Sequence, residues 1–245
     1  MIDTDCLIIG IHEGGPLTAS AAAINEASGG AVRNLLDSGD IDTAWKTRTM
    51  LHGLKGVAAK RILVIGCGEP EKFNAVRNDT VCERAGAYLS HHAAETALVC
   101  LLELEAVNKN EHWRIRQASV ALDRGNYFYT ATKKPSDEDH EPLNSATIGA
   151  ADDMQPAIDE AKGIAKVYLR SRQLGNLPPN ICTPAFLARQ AQEIADTYEN
   201  VSLEILKKKQ MAELKMAALL AVGQGSTNTP RLIILKYQGL GETDK

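Results

Sequence analysis

The chain has 245 residues, of which 44% are hydrophobic and 24% charged, with a formal net charge of −4. This composition is that of an ordinary globular protein and does not favour long disordered regions, and the slightly acidic balance argues against a general nucleic-acid binder. No apolar run approaches the roughly 20 residues of a membrane span, and the N-terminus lacks the positive charge of a signal peptide, so we expect a cytoplasmic protein without membrane contact.

The cysteines are odd in number, widely spaced and form no CxxC pair. This pattern excludes a disulfide scaffold and a zinc finger, both of which need closely paired cysteines. Free cysteines are usually buried, so we predict buried thiols in a reducing compartment. The residues are Cys6, Cys67, Cys82, Cys100 and Cys182.

The first part of the chain alternates short apolar runs with segments of helical periodicity. The predicted strands are residues 6–11, 46–51, 61–66, 97–102 and 146–149, and the predicted helices are 20–36, 74–92 and 111–124. The pair Gly29-Gly30 inside the first helix indicates either a close packing contact or a break. Residues 133–142 are the most polar segment and are predicted to form an exposed loop. The alternation predicts an α/β fold with a mainly parallel sheet and right-handed crossovers.

Residues 176–239 are the most strongly patterned part of the sequence. Pro178 and Pro179 favour an extended segment, and Thr183-Pro184 is typical of a helix start, with a hydroxyl cap before proline. Helical spacing continues to about residue 198, residues 201–205 alternate as a strand does, and residues 208–214 indicate a short helix. The apolar run 232–235 predicts a buried parallel strand.

Two segments contain histidine in combinations that invite comparison with metal sites, but neither has the spacing that such a site requires. His12-Glu13 lacks the second histidine of an HExxH motif and is followed by glycines and proline that break a helix. His91 and His92 are adjacent, so on a helix they point about 100° apart and cannot chelate one ion together. We interpret this second pair as a solvated helix end.

Two glycine-rich segments resemble phosphate loops without their chemistry. Gly66-Cys67-Gly68 follows a strong strand, but the third glycine of a dinucleotide fingerprint is absent and Glu69 and Glu71 would oppose an anion. Residues 223–226, Gly-Gln-Gly-Ser, lack the lysine of a Walker loop and are interpreted as a structural turn. No serine lies in a Gly-x-Ser-x-Gly context. The basic run 207–209 is interpreted as a solvated face, and the clustered acids lie in polar, loop-like segments: Asp137, Glu138, Asp139, Glu141, Asp152 and Asp153.

Several short motifs occur in the order found in one enzyme family. They are Asn-x-Pro-x-Asn-x-x-Thr-Pro at 176–184, Gln-Met at 210–211, Gly-Gln-Gly-Ser at 223–226, Pro-Arg-Leu-Ile at 230–233 and Tyr-x-Gly at 237–239. With Glu-Ala-Ser-Gly-Gly-Ala at 26–31 and the strand at 61–66, they make the chain resemble the leucyl (cytosol) aminopeptidases. This resemblance spans essentially the whole chain.

The resemblance implies a macro-domain-like N-terminal domain over residues 1–150, a connecting helix over 151–175, and an incomplete first part of the catalytic domain over 176–245. The family is one of homo-hexameric, cytoplasmic exopeptidases that release N-terminal residues from peptides. Its members use two divalent metal ions, manganese or zinc, and a metal-bound hydroxide attacks the scissile carbonyl.

The family's catalytic motifs, Lys-Gly-x-x-Phe-Asp-x-Gly-Gly and Asn-Thr-Asp-Ala-Glu-Gly-Arg, occur nowhere in these 245 residues. We therefore assign no catalytic, cofactor-binding or metal-binding residue, and expect the chain alone to bind no metal specifically and to be inactive. Some bacterial members of the family bind DNA, so DNA is a further possible partner. The alternative hypothesis is a non-catalytic macro-like module for an ADP-ribose-type ligand, DNA or assembly.

Overall fold

The computed structural model describes residues 4–104, 109–134, 143–149 and 152–239. The chain divides into two compact units, Met1–Gln173 and Leu174–Lys245. From residue 135 to its end, the predicted polar loop at 133–142 lies outside the described residues. Within the described ranges, no helix is long and apolar enough to cross a membrane.

The N-terminal unit is built on a five-stranded sheet with the order β2-β3-β1-β4-β5. Only β2 is antiparallel to its neighbour β3, and the other pairings are parallel, which confirms the predicted mainly parallel sheet. The central strands are buried because helices cover both faces of the sheet. The strands are β1 (Cys6–Ile11), β2 (Arg48–His52), β3 (Arg61–Gly66), β4 (Thr96–Val99) and β5 (Ser145–Ile148).

Five α-helices begin among the described residues of this part of the chain. Side chains from α1 and α2 pack with Ile9 and Val64 on one face of the sheet, and those from α3 and α4 pack with Ile8 and Leu63 on the other. A long helix, α5, lies where the sequence analysis expected a connecting helix. The helices are α1 (Ala19–Ala27), α2 (Ala31–Asp37), α3 (Ala75–Leu89), α4 (Glu111–Gly125) and α5 (Gln155–Asn176).

Two sequence predictions in this unit are wrong in detail. The single helix expected over 20–36 is two helices, because Gly29 and Gly30 have φ angles of 66° and 92°, in the left-handed region that ends a helix. The strand expected over 97–102 ends at Val99, and a 3-10 turn, Leu101–Glu103, follows it. Apolar residues continue through this turn because the turn is itself packed into the core.

The second unit contains three helices and a two-stranded sheet among its described residues. The side chain of Thr183 accepts a hydrogen bond from the Phe186 amide at 3.3 Å, which confirms the predicted helix cap. The elements are α6 (Pro184–Thr197), β6 (Val201–Lys207), α7 (Lys208–Glu213), α8 (Ala217–Gly223) and β7 (Arg231–Tyr237).

The prediction for residues 232–235 is wrong in strand direction and in burial. They lie in β7, which pairs antiparallel with β6, and its carboxyl half is exposed, with Leu235 43% and Tyr237 72% exposed. The short helices α7 and α8 return the chain so that β7 runs against β6. A continuous apolar run alone carries no information about the direction of pairing.

Candidate functional site

The winding of the N-terminal sheet reverses beside β1. Strands β2 and β3, which follow β1 in the chain, lie on one side of β1. Strands β4 and β5, which come next, lie on its other side. In open α/β sheets, ligands bind at such a reversal, in the crevice outside the carboxyl ends of the strands. The carboxyl ends of β1 and β4 are therefore the first place to look for a binding site.

This crevice is occupied by the chain's own side chains. A Cβ atom built on Gly10, near the end of β1, would lie only 2.5 Å from Leu104 Cδ1 and 3.0 Å from Cys67 Sγ. Leu104 is 2% exposed and Cys67 is fully buried, so both belong to the hydrophobic core. Apolar packing therefore fills the face of β1 at Gly10, next to the carboxyl end of the strand.

The N-terminus of α1 is likewise satisfied internally. Its partial positive charge and free amides would favour an anion, and the position before it, Thr18, provides no side-chain cap. Instead Glu103 Oε2 accepts a hydrogen bond from the Ser20 amide at 2.9 Å, and the Ser20 hydroxyl donates to Glu103 Oε1. The Glu103 carboxylate thus takes the place that a ligand phosphate would occupy.

The Gly66-Cys67-Gly68 loop has its amides committed to backbone acceptors. The Gly66 amide donates to the Thr47 carbonyl oxygen at 3.0 Å. The Cys67 amide donates to that of Ile11 at 2.9 Å, and the Gly68 amide to that of Thr43 at 3.0 Å. Burial also raises the pKa of the Cys67 thiol to about 12, so this thiol is not a reactive nucleophile. The geometry supports a structural turn and gives no phosphate cradle.

The histidines that the sequence analysis rejected as metal ligands lie apart in the fold. His12 follows β1 directly, where its Nδ1 lies 3.1 Å from the Gly68 carbonyl oxygen and its ring packs edge-on against Phe73. His91 and His92 lie just beyond the end of α3 at Leu89; His91 is exposed, as expected of a solvated helix end, whereas His92 is half-buried against Tyr88. Across the described ranges, no group of three or more His, Cys, Asp or Glu side chains is arranged to hold a metal ion.

The remaining candidates have structural or solvent-facing roles. In the segment 223–226, the amides of Gln224, Gly225 and Ser226 donate to carbonyls of α8, which forms a tight turn. The lysines at 207–209 are exposed at the start of α7. Asp152 and Asp153 lie in a 3-10 turn before α5, and the acids at 137–141 lie outside the described residues.

The five cysteines are free thiols, of which Cys6, Cys67 and Cys82 are buried and the other two half-buried, in agreement with the sequence. Sequence reasoning missed one feature, a cleft beside α3 that contains Arg48 and Arg84. The sequence could have indicated one wall of the cleft, because residues 80, 84 and 88 share one face of a predicted helix.

Comparison with known proteins accounts for both units. A sequence profile described as the cytosol aminopeptidase family, N-terminal domain, matches residues 8–136, and the profile of the family's catalytic domain matches residues 170–245. The chain belongs to the cytosol aminopeptidase family. The resemblance drawn from the sequence motifs is thereby confirmed.

Curated relatives agree with this family assignment. A probable cytosol aminopeptidase from Xylella fastidiosa is 39% identical over 241 residues, which is 98% of this chain and 49% of the relative. One from Stenotrophomonas maltophilia is 38% identical over 240 residues, covering 97% of this chain and 48% of the relative. The chain spans about half the length of the curated relatives it matches.

Solved structures show the same fold. A mutant of tomato leucine aminopeptidase matches with a TM-score of 0.83 over 100% of this chain and 50% of that chain, at 22% identity. The bottromycin maturation enzyme BotP matches with a TM-score of 0.76 over 96% of this chain and 46% of that chain, at 20% identity. The α/β architecture is therefore that of part of an aminopeptidase.

Proposed function

We propose that the protein to which this chain belongs is a metallo-aminopeptidase of the leucyl type, which releases N-terminal residues from peptides. The observation that carries the proposal is the succession of the family's N-terminal and catalytic domains along one chain. A cytoplasmic homo-hexamer with a macro-like N-terminal domain is part of the same proposal. Divalent ions, manganese or zinc, are the proposed cofactors, and a solved structure of BotP in complex with Mn supports them.

The described residues do not themselves fit a dinuclear metal centre. Two bridged metal ions need several carboxylate or other polar ligands converging within one site, and the described ranges contain no cluster of that kind. We therefore assign no catalytic step to residues of this chain. The 245-residue chain alone is proposed to lack peptidase activity.

The experiment captures the natural protein from its source cells with an antibody raised against residues 1–150. Its intact mass is measured, and a leucyl chromogenic substrate is assayed with manganese and again with a chelator. The expected result is metal-dependent release by a protein of about twice 26.4 kDa, since this chain covers 49% of a relative's length. The purified 245-residue chain is the matched control and is expected to show no turnover.

If the captured protein, whether of 26.4 kDa or of about twice that mass, does not hydrolyse the leucyl substrate in a metal-dependent way, the proposed activity is overturned. Turnover by the purified 245-residue chain would instead show that the ligand set lies within these residues, which contradicts the assignment made above. The two results separate the activity of the whole protein from that of the chain.

The alternative function, ADP-ribose-type binding by the N-terminal unit, has less support from the geometry. Leu104 and Glu103 fill the crevice at the sheet reversal, so a nucleotide would have to displace core packing and an internal hydrogen bond. Titration with ADP-ribose to about 1 mM is expected to leave the unfolding temperature unchanged. A saturable rise in the unfolding temperature would favour the macro-like binding module.

A role in DNA binding rests only on the exposed lysines at 207–209. It would be supported if the chain binds DNA and loses this binding when all three lysines are replaced by glutamine.

A further inference from the structure

A second concave feature lies on the surface of the N-terminal unit, between strand β2 and helix α3. It is a cleft of about 580 Å³, within the range of small-molecule sites. Its walls include Arg48 from β2, Arg84 and Tyr88 from α3, and His91 and His92 just beyond the end of α3. Each of these side chains carries a guanidinium group or an aromatic ring.

The cleft is a consequence of the local secondary structure. Thr80, Arg84 and Tyr88 are four residues apart along α3 and so share one face of the helix. Strand β2 is the antiparallel edge of the sheet, and it brings Arg48 beside that face. The Arg48 guanidinium lies over the Tyr88 ring at 4.9 Å from its centroid.

The cleft carries two arginines and one carboxylate, and its arginines have no ionic partner among the described residues. Arg48 and Arg84 form no ion pair with any residue that the structure describes. Glu83 is the one carboxylate among the lining residues, and its Oε2 is bound at 2.6 Å by Arg124. The two guanidinium groups therefore retain unused donors, in a cleft lined with aromatic rings.

The aromatic wall is held in place by hydrogen bonds. His92 Nδ1 lies 2.6 Å from the Tyr88 carbonyl oxygen, which can only accept, so this nitrogen carries a proton. The His92 and Tyr88 rings contact each other with centroids 4.1 Å apart. The pair forms a fixed, partly buried surface beside the arginines.

The carboxyl end of α3 does not present unsatisfied carbonyl groups to the cleft. Such groups carry partial negative charge and would oppose an anion. Here donors from the residues that follow the helix cover the last turn. The acceptors are the carbonyl oxygens of Gly86, Ala87, Tyr88 and Leu89.

We propose that this cleft binds a small anion of the phosphate monoester type, with its organic part beside the aromatic side chains of the wall, at the edge of the Tyr88 ring that Arg48 and His92 leave uncovered. Guanidinium groups donate paired hydrogen bonds that match phosphate oxygens, and the absence of an ionic partner among the described residues leaves Arg48 and Arg84 available for this role. The aromatic side chains of the wall supply an apolar contact that inorganic phosphate cannot use. The proposal concerns residues of the N-terminal unit and does not depend on the aminopeptidase activity.

The test is calorimetric titration of the 245-residue chain, in a phosphate-free buffer of fixed ionic strength, with phenyl phosphate, inorganic phosphate and benzyl alcohol. We expect saturable binding of phenyl phosphate, weaker binding of inorganic phosphate and none of the uncharged alcohol. Arg84→Gln and Arg48→Gln are each expected to weaken phenyl phosphate binding by roughly tenfold or more. Tyr88→Leu is expected to abolish the preference for phenyl phosphate over inorganic phosphate.

Arg33→Gln is the matched control, because Arg33 is exposed on α2, on the opposite face of the sheet, and loses the same charge. It is expected to leave the dissociation constant unchanged. The proposal is overturned if phenyl phosphate fails to bind at about 10 mM, or if the control weakens binding as much as Arg84→Gln does, which would show a non-specific effect of net charge. Circular dichroism and the unfolding midpoint confirm that each variant is folded, and neither Arg48 nor Arg84 has an ion pair with a described residue that its replacement would break.

Discussion

The crossing of α3 and α4 depends on two glycines, and replacing one of them gives a sharp test of the packing. A Cβ atom built on Gly86 would lie 2.2 Å from the Leu122 carbonyl oxygen, and one on Gly125 would lie 2.0 Å from the Glu83 carbonyl oxygen. In both places the obstacle is backbone of the facing helix, which cannot turn aside as a side-chain tip can. The helices must separate before alanine fits.

The expected magnitude for Gly86→Ala follows from two opposing effects. Normal carbon–oxygen contacts are about 3.3 Å, so the helices must move apart by about 1 Å, and overpacking of this kind costs about 3 kcal/mol. The higher helix propensity of alanine offsets this cost by about 1 kcal/mol, because glycine is disfavoured in a helix interior. The free energy of unfolding should therefore fall by about 2 kcal/mol, which lowers the midpoint temperature by about 4–8 °C for a unit of this size.

Tryptophan fluorescence measures this change selectively, because the chain's two tryptophans, Trp45 and Trp113, both lie in the N-terminal unit. Gly163→Ala is the matched control: a Cβ atom there meets nothing within 4 Å, in the interior of α5. That variant is expected to be slightly more stable than the parent chain. If Gly86→Ala is as stable as the parent or more so, the close approach of α3 and α4 is wrong.

Three further predictions concern ion pairing, thiols and a helix cap. Arg124→Met removes the guanidinium that joins two carboxylates of α3 at 2.5 and 2.6 Å, and should lower the free energy of unfolding in urea by about 2 kcal/mol. Lys72→Met, which breaks an exposed ion pair, should change the free energy of unfolding by less than about 0.5 kcal/mol. Equal effects of the two substitutions would refute the idea that the half-buried pairs of Arg124 stabilise more than an exposed pair. Burial raises the pKa of Cys67 to about 12 from an ordinary value of about 8.5, so its contribution to stability is complete below about pH 8.5 and is lost as the pH rises toward 12. In mass spectrometry after native alkylation at pH 8, Cys182 should be labelled and Cys67 spared, and early labelling of Cys67 would contradict its burial. Asn74→Ala removes the side chain that accepts two amides at the start of α3 and should cost about 1 kcal/mol in thermal unfolding, whereas an unchanged midpoint would show that the cap is dispensable.

The elements that the sequence predicted well are those whose signal is local. The runs 6–11 and 61–66 coincide with β1 and β3, because a strand buried on both faces must be apolar at every position. The break at Gly29-Gly30 was undecided because the apolar spacing continues across it, and only the backbone angles distinguish a break from a contact. The direction of β7 depends on its partner, which lies 24 or more residues earlier in the chain.

The cleft beside α3 was out of reach of the sequence for a related reason. Helical spacing places Arg84 and Tyr88 on one face, but Arg48 arrives from a strand 36 residues earlier, through the pairing of β2 with β3. The identity of the family, in contrast, needed no spatial information, because it rests on the order of several short motifs. Local patterns thus predicted the family and most of the elements, whereas the composite surface required the register of the sheet.

The closed crevice and the open cleft lead to a single expectation for anions at the N-terminal unit. Entry of a ligand above β1 would have to displace Leu104 from the core, at a cost of about 3 kcal/mol by comparison with the loss of a buried leucine. That cost alone weakens binding more than a hundredfold, before the hydrogen bonds of Glu103 to α1 are broken. The cleft beside α3 requires no such displacement, since Arg48 is exposed, Arg84 is half-exposed, and neither pairs with a carboxylate in the ranges that the structure describes. An anion that reaches this unit should therefore bind at the outer face of α3, and its binding should weaken in Arg84→Gln and stay unchanged in Glu103→Gln. Stronger binding in Glu103→Gln would instead place the anion at the start of α1, where the Glu103 carboxylate now lies.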